Sequence, residues 1–554
     1  MILALLLAVS TAAPAASSAD AVVSKFIESY FSMYPTRATQ AGRADLDTKL
    51  EDLSPERLTS WLQTLDAIEK EMQSVETENR DERLDLDVVR HEIAWERFEL
   101  RTRNAPGRNP MFWTAIASEA GIYLLLREDQ PLEKRIQALQ ARAWSMPRLC
   151  SQAQAALRKT AAEEIAPELV QPAARQARQL AQLYQTGLGK FSPKLAKSGQ
   201  GAAKALTALA VFLDKLPARG SPRLGKDYAE AFRLYLNETE TPEQLLPRFQ
   251  QDLETLRKTT AAYGKQVFRE LVPNEPMLAD DKSMIRRLFK AIEADKDADV
   301  AEYTRRWQAA VPELEALVRQ KQVITLPEPL TLKISPAPAY LSGQAYGGVF
   351  PEGPYRPDGD TLLLLPVPGD GATPAESATF FAAFNRPFSK MIAAHEALPG
   401  HYTQLKIAAH QQHKIRVLFP DNVYTEGWGT FVEGLMLDQG WGGPKERLAH
   451  LKKALENCAR AIVDIRVHTQ NASKEEIAAF VRDEALQDAQ LGNNLWARTL
   501  TTAPQIVTYH LGARRFQDLY EAAQKREGAQ FSLRAFTDGL MSKGPLPLRE
   551  YGAR

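Results

Sequence analysis

Residues 395–401 read His-Glu-Ala-Leu-Pro-Gly-His, inside the segment MIAAHEALPGHY, and this run restricts the chain more than any other. Two imidazoles flank a carboxylate. In the zinc-hydrolase pattern HExxH the histidines stand at i and i+4 on one helix face, with the Glu as general base. Here the second His is at i+6. At about 100° per residue it points about 120° away from the first, so an unbroken helix cannot aim both rings at one place. Removing Pro399-Gly400 restores the spacing HEALH. Pro399 has no N–H to give to the carbonyl of His395, and Gly400 is free to take the positive φ of a bulge. The run therefore predicts a helix with a two-residue bulge that swings His401 back beside His395.

Catalytic zinc takes three protein ligands and keeps a position for water. Glu426 follows His401 by 25 residues, in YTEGWGTFVE. That interval lets a first helix finish, a loop turn at Phe419-Pro420-Asp421-Asn422, and a second helix return antiparallel. Glu433, seven residues after Glu426, shares its helix face and is placed to support a ligand imidazole from behind. Two other histidine groups compete less well. His91-Glu92, in RHEIAWERF, has no second His nearby and reads as a helix surface. His410 and His413, in AHQQHK, have no carboxylate between them and read as a solvated helix face.

The rest of the chain supplies a frame. Ser54-Pro55 and Thr241-Pro242-Glu243-Gln244 are helix starts, the second a capping box, and Ser473-Lys474-Glu475-Glu476 is another. Residues 133–215 are rich in Ala, Leu, Gln, Lys and Arg, all strong helix formers. The texture changes near 322: residues 322–326, 330–334 and 361–365 read as short strands, with the Gly-, Pro- and Tyr-rich loop YLSGQAYGGVFPEGPYRPDGD between the last two. The expectation is a mostly α protein with a small β-sheet beside the metal helix, a helical lobe over 20–320 and a sheet-plus-metal lobe over 321–554 forming a single two-lobed domain.

Balanced charge, 69 basic against 69 acidic residues, argues against a nucleic-acid partner. No apolar run after residue 20 reaches the length of a membrane span. Residues 1–19 read as a signal peptide, ILALLLAV followed by small residues, although no Lys or Arg precedes the apolar run. This predicts a periplasmic or secreted protein. Cys150 and Cys458 read as two buried thiols, with a disulfide left open by an oxidising compartment.

HEALPGHYTQ, the downstream TEGWGTFVE and the early segment SMYPTRATQAGRADLDTKLEDLSPE together resemble the bacterial family catalogued as domain of unknown function eight-eight-five. That family is similar to the gluzincin metallopeptidases, among them the thimet oligopeptidase, angiotensin-converting enzyme and Taq-type carboxypeptidase groups. The resemblance spans about residues 22–550 and implies a large two-lobed helical metallopeptidase-like fold. It supports Glu426 as zinc ligand, because the thimet group uses the same interval after its second His. It also implies a strand edge that holds an extended peptide, with Gly347 and Gly348 allowing close backbone approach. The chain departs from the proven peptidases in its HExxPGH spacing.

Tyr509, in a segment resembling the family's Q-x-x-x-Y-x-x-G pattern, is the candidate oxyanion donor. His468 lies four residues after Asp464, a spacing at which the carboxylate can orient the ring or raise its pKa for a catalytic role. Arg460 and Arg466 are candidates to hold a substrate carboxylate, a solvated face being the alternative. These readings converge on a zinc hydrolase of short peptides: His395, His401 and Glu426 for the metal, Glu396 as base, Tyr509 and His468 assisting. The same chemistry on a non-peptide amide and a silent extracytoplasmic binding protein are the rival readings. The oligomeric state stays open.

Overall fold

A computed structural model describes residues 18–338, 347–369 and 371–552. The expected signal segment lies outside these residues, save Ser18 and Ala19. Ser18 caps the first helix, α1 (Ala19–Met33), accepting from the Ala21 N–H. The protein is mostly α-helical with one small three-stranded sheet. The predicted starts are realised. Ser54 caps Pro55–Met72, and capping boxes at Thr241 and Ser473 open α3 (Pro242–Leu271) and the helix Lys474–Asp483. Between α1 and α3 lies α2 (Arg80–Arg97), and α4 (Val300–Gln320) precedes the sheet.

The sheet has strand order β1-β3-β2. β3 (Thr361–Leu365) stands where expected, parallel to β1 (Leu332–Pro336) and antiparallel to β2 (Gly348–Phe350). Residues 322–326 are not a strand. Their polar groups pair with a C-terminal helix instead: Thr325 N–H donates to Asp538, and the Val323 carbonyl accepts from Thr537. Gly347 does allow close approach, but to the sheet's own Pro366: a Cβ at residue 347 would lie 2.6 Å from it. The sheet is tied to the metal region by Tyr402, whose hydroxyl accepts from the Thr331 N–H at 2.7 Å.

Two large cores form. One is built from residues 19–213 with Ile415, the other from residues 228–548. The core changes over between Leu213 and Tyr228, because α3 and α4 bury their apolar faces with the metal-bearing helices. Cys150 and Cys458 fall in different cores and are free, buried thiols. Among the described residues no helix is long and apolar enough to cross a membrane.

Candidate metal centre

The predicted bulge is instead a full break. Helix α5 (Arg386–Glu396) ends at the base, and α6 (His401–Ala409) starts at the second histidine. The Ala397 N–H still donates to Ala393, after which Leu398–Pro399, a cis peptide, turns the chain. Trp428 Nε1 donates to the Pro399 carbonyl at 2.9 Å and holds the turn from a later helix, α7 (Asn422–Asp438). Gly400 has φ −72°, so positive φ is not why glycine stands there. A Cβ at residue 400 would lie 1.8 Å from the His395 carbonyl oxygen and 2.4 Å from that of Ala394. Any larger residue pushes the two helix ends apart.

The break does what the sequence required. The rings of His395 and His401 lie 4.6 Å apart and perpendicular. Glu426 Oε2 stands 4.0 Å from His395 Nε2 and 3.6 Å from His401 Nε2. The three residues offer ligand atoms all within 4.8 Å of one another. Each imidazole is held through its other nitrogen: His395 Nδ1 to Glu433 Oε1 at 2.7 Å, and His401 Nδ1 to Gln404 Oε1 at 3.3 Å. Nδ1 protons committed to these acceptors leave both Nε2 lone pairs for a cation. Burial lowers His401, but Glu426 and the Glu396 charge outweigh it and push it up to about 9. Burial raises Glu426, yet the two histidines hold it down to about 2. The cluster is thus electron-rich and draws positive charge. Two His and one carboxylate are the donor set that zinc takes.

Glu433 is 1% exposed and would be costly there unpaired. Burial raises its pKa, but Lys453, His395 and His450 overcome this and hold it well below the ordinary carboxylate range. Lys453 Nζ donates to Glu433 Oε1 at 2.6 Å. Helix α8 (Pro444–Thr469) supplies both Lys453 and His450. Gly429 lets α7 come close, since a Cβ there would lie 2.8 Å from the His395 ring. Glu433→Gln is expected to weaken zinc binding about 10- to 100-fold, checked by competition with a chromogenic chelator.

Glu396 is the last residue of α5, half-buried, and its charge reaches His401. Tyr509 lies on α9 (Thr508–Glu527), which crosses α7 at a pair of glycines. A Cβ on Gly427 would meet the Gly512 Cα at 2.5 Å. Tyr509 stands one turn before Gly512; burial, then the charges of Glu426 and Tyr509, raise the pKa of Tyr235. The Tyr509 hydroxyl accepts from Arg498 and Gln505, both at 3.1 Å, and Arg460 lies over its ring. Arg466 packs over Phe480 and stays out of this group.

His468 is not brought to the cluster. It is 2% exposed and both ring nitrogens are engaged: Nδ1 accepts from the Leu224 N–H at 3.0 Å, and Nε2 donates to the Thr499 carbonyl at 3.2 Å. Burial lowers it to about 4, the opposite of the direction expected. Asp464 does not orient it, because its carboxylate takes the Tyr228 hydroxyl at 2.6 Å. Burial raises Asp464 from 3.8 to about 7. A carboxyl with a raised folded pKa gives stability that is complete below about 4 and lost as pH rises through about 7. Asp464→Asn is therefore expected to melt higher than the parent above pH 7, with the gap closing by pH 4, read by thermal denaturation across that range.

The competing histidines are also placed. His91, expected on a helix surface, is half-buried with Nε2 on the Leu234 carbonyl at 2.7 Å. His410 is exposed as expected and faces Asp358. His413 is not, pairing with the buried Asp85 at 2.6 Å. Four supporting residues escaped the sequence reading: Gln404, Lys453, His450 and Arg498. Gln404 had a usable signal, three residues after His401 on one helix face. The others come from helices that carry none of the three metal-cluster residues and left none.

These features define a helical protein with a His-His-Glu cluster suited to a divalent cation. Residues 35–551 match the family described as bacterial protein of unknown function (DUF885), and the chain belongs to it. No functionally curated protein matches the chain. Two solved structures share the fold. A candidate lipoprotein of unknown function from Shewanella oneidensis aligns with TM-score 0.80 at 22% identity, covering 97% of this chain and 99% of its own. A candidate lipoprotein from Colwellia psychrerythraea aligns with TM-score 0.79 at 15% identity, covering 97% and 98%.

Proposed function

We propose that this protein is a zinc-dependent hydrolase of short peptides, acting outside the cytoplasm. The observation that carries this reading is the convergence of His395, His401 and Glu426 from three separate helices, with Nδ1 of each imidazole already tied back. Zinc held there would supply a Lewis acid that polarises a carbonyl and acidifies water. Glu396, next in the chain to His395, takes the water proton and passes it to the leaving amine. The Tyr509 hydroxyl, polarised by Arg498, donates to the oxyanion that develops on the scissile carbonyl. His468, committed to two backbone partners, positions helices and takes no part in the chemistry.

The two cores form two lobes, and a peptide lies between them, its backbone added to the sheet edge. A periplasmic or secreted location fits the signal-like start and the lipoprotein descriptions of the two relatives. The test is a peptide-library digest by the zinc-loaded protein, read by mass spectrometry. Zinc-dependent cleavage at a fixed register is expected. Turnover confined to non-peptide amides would transfer the chemistry to another substrate class, and zinc binding without turnover on either would leave a binding protein.

A further inference from the structure

The pair His91-Glu92 lines a cavity of about 200 Å³. It lies between α2, the helix Tyr228–Leu236, residues 418–422 and two prolines of the C-terminal segment. Val88, Glu92 and Trp95 reach it from one face of α2. Among the described residues no Lys or Arg lines it. Three rings do, Trp95, Tyr235 and Phe419, the first two 5.6 Å apart. Of the two acids in the lining, Asp421 is spent: one oxygen accepts from the Tyr424 N–H and caps α7, and the other is sealed from solvent. Glu92 differs. It is half-buried, among the described residues it has no hydrogen-bond or ion-pair partner, and neither of its oxygens is sealed. Burial, then the Glu96 charge, push it up to about 8 against the opposing charge of Arg37, which is itself tied to Glu119 at 3.2 Å. Such a carboxyl lacks a cation, and one brought beside it restores the charge that burial suppresses. The rings want the same kind of group, since an aromatic face attracts an ammonium held within about 6 Å of it. A hard metal ion fits less well, because it takes about six oxygen ligands or more and the lining offers one free carboxylate.

We propose that this cavity binds a primary ammonium group, its charge on Glu92 and its flanking carbons against Trp95 and Tyr235. Two sources carry that group: the amino end of a peptide, and a free small amine. The first deepens the hydrolase reading and rests on it. Asn422 lines the cavity at the start of α7, and Glu426 follows one turn later, about 6 Å along the helix axis. An extended chain advances about 3.3 Å per residue, so a peptide held by its amino end at Glu92 would offer the metal a bond near that end.

Calorimetric titration of the full zinc-free chain with phenethylamine, phenethyl alcohol and phenylpropionate tests the cation site without any appeal to turnover. Saturable binding is expected in the order amine, alcohol, carboxylate. Glu92→Gln keeps the shape and removes the charge, so it should weaken phenethylamine at least about tenfold, the loss of one charge-assisted hydrogen bond, and leave the alcohol unchanged. Should that variant lose the parental circular-dichroism spectrum, Val88→Phe, which fills the cavity one turn before Glu92, should weaken the amine as much. No saturable binding of the amine by the parent, equal affinity for the carboxylate, or unchanged affinity in the folded variant would overturn the assignment and leave the hydrolase reading standing. The two sources are separated on the zinc-loaded protein with a short peptide and its N-acetylated form. Cleavage that falls at least about tenfold on acetylation identifies the amino end as the occupant; equal cleavage of both identifies a free amine. Absence of cleavage counts against the hydrolase and not against the amine titration.

Discussion

Glu396→Gln is expected to lose turnover by about 10²- to 10⁴-fold, the usual contribution of a general base, while still binding about one zinc per chain. The separation of the two readouts follows from placement. Glu396 ends α5 beside His395 but is not among the converging ligands, so an isosteric amide leaves the cation's donors untouched. Metal content by plasma mass spectrometry and peptide turnover under the same loading check it. Turnover at the parental rate would take Glu396 out of the mechanism.

Glu426→Ala should act the other way round and release the metal itself. Among the described residues its carboxylate is the one acid within 4.0 Å of both Nε2 atoms, at 4.0 and 3.6 Å. Without it, two neutral imidazoles remain from a three-ligand set, and catalytic zinc sites use three. Dialysis of the zinc-loaded variant should leave less than about a tenth of the parental content, since each lost ligand costs several kcal/mol. Full retention would show that another residue completes the set. Glu433, seven residues on, is the nearest acid on that helix face, but its Oε1 is already engaged by both Lys453 and His395.

Much of this was legible in the chain itself. The spacing of His395 and His401 demanded an interruption at Pro399-Gly400, read as a bulge and found as a full break, and caps at Ser54, Thr241 and Ser473 announced helices that formed. Local chemistry dictates such features within a few residues, so a linear reading reaches them. Three readings failed where tertiary partners decide. Asp464 and His468 share a helix face, but Tyr228 and the backbone of Leu224 and Thr499 claimed them first. Residues 322–326 carry strand-like side chains, yet Thr537 and Asp538 took their polar groups. Gly400 was needed for room beside a carbonyl, which no propensity scale records. Lys453 was invisible because neutralising a buried acid from another helix follows no spacing rule.

The break between α5 and α6 has a mechanical outcome. In an ordinary HExxH site one helix carries two donors, so a cation fastens two segments. Here each donor rides a different helix, α5, α6 or α7. An ion seated among them would act as a three-way clasp, converting part of its binding free energy into rigidity of the surrounding scaffold. Zinc loading should then slow amide exchange along all three segments together, and loosening any one by a remote core substitution should weaken the grip on the ion.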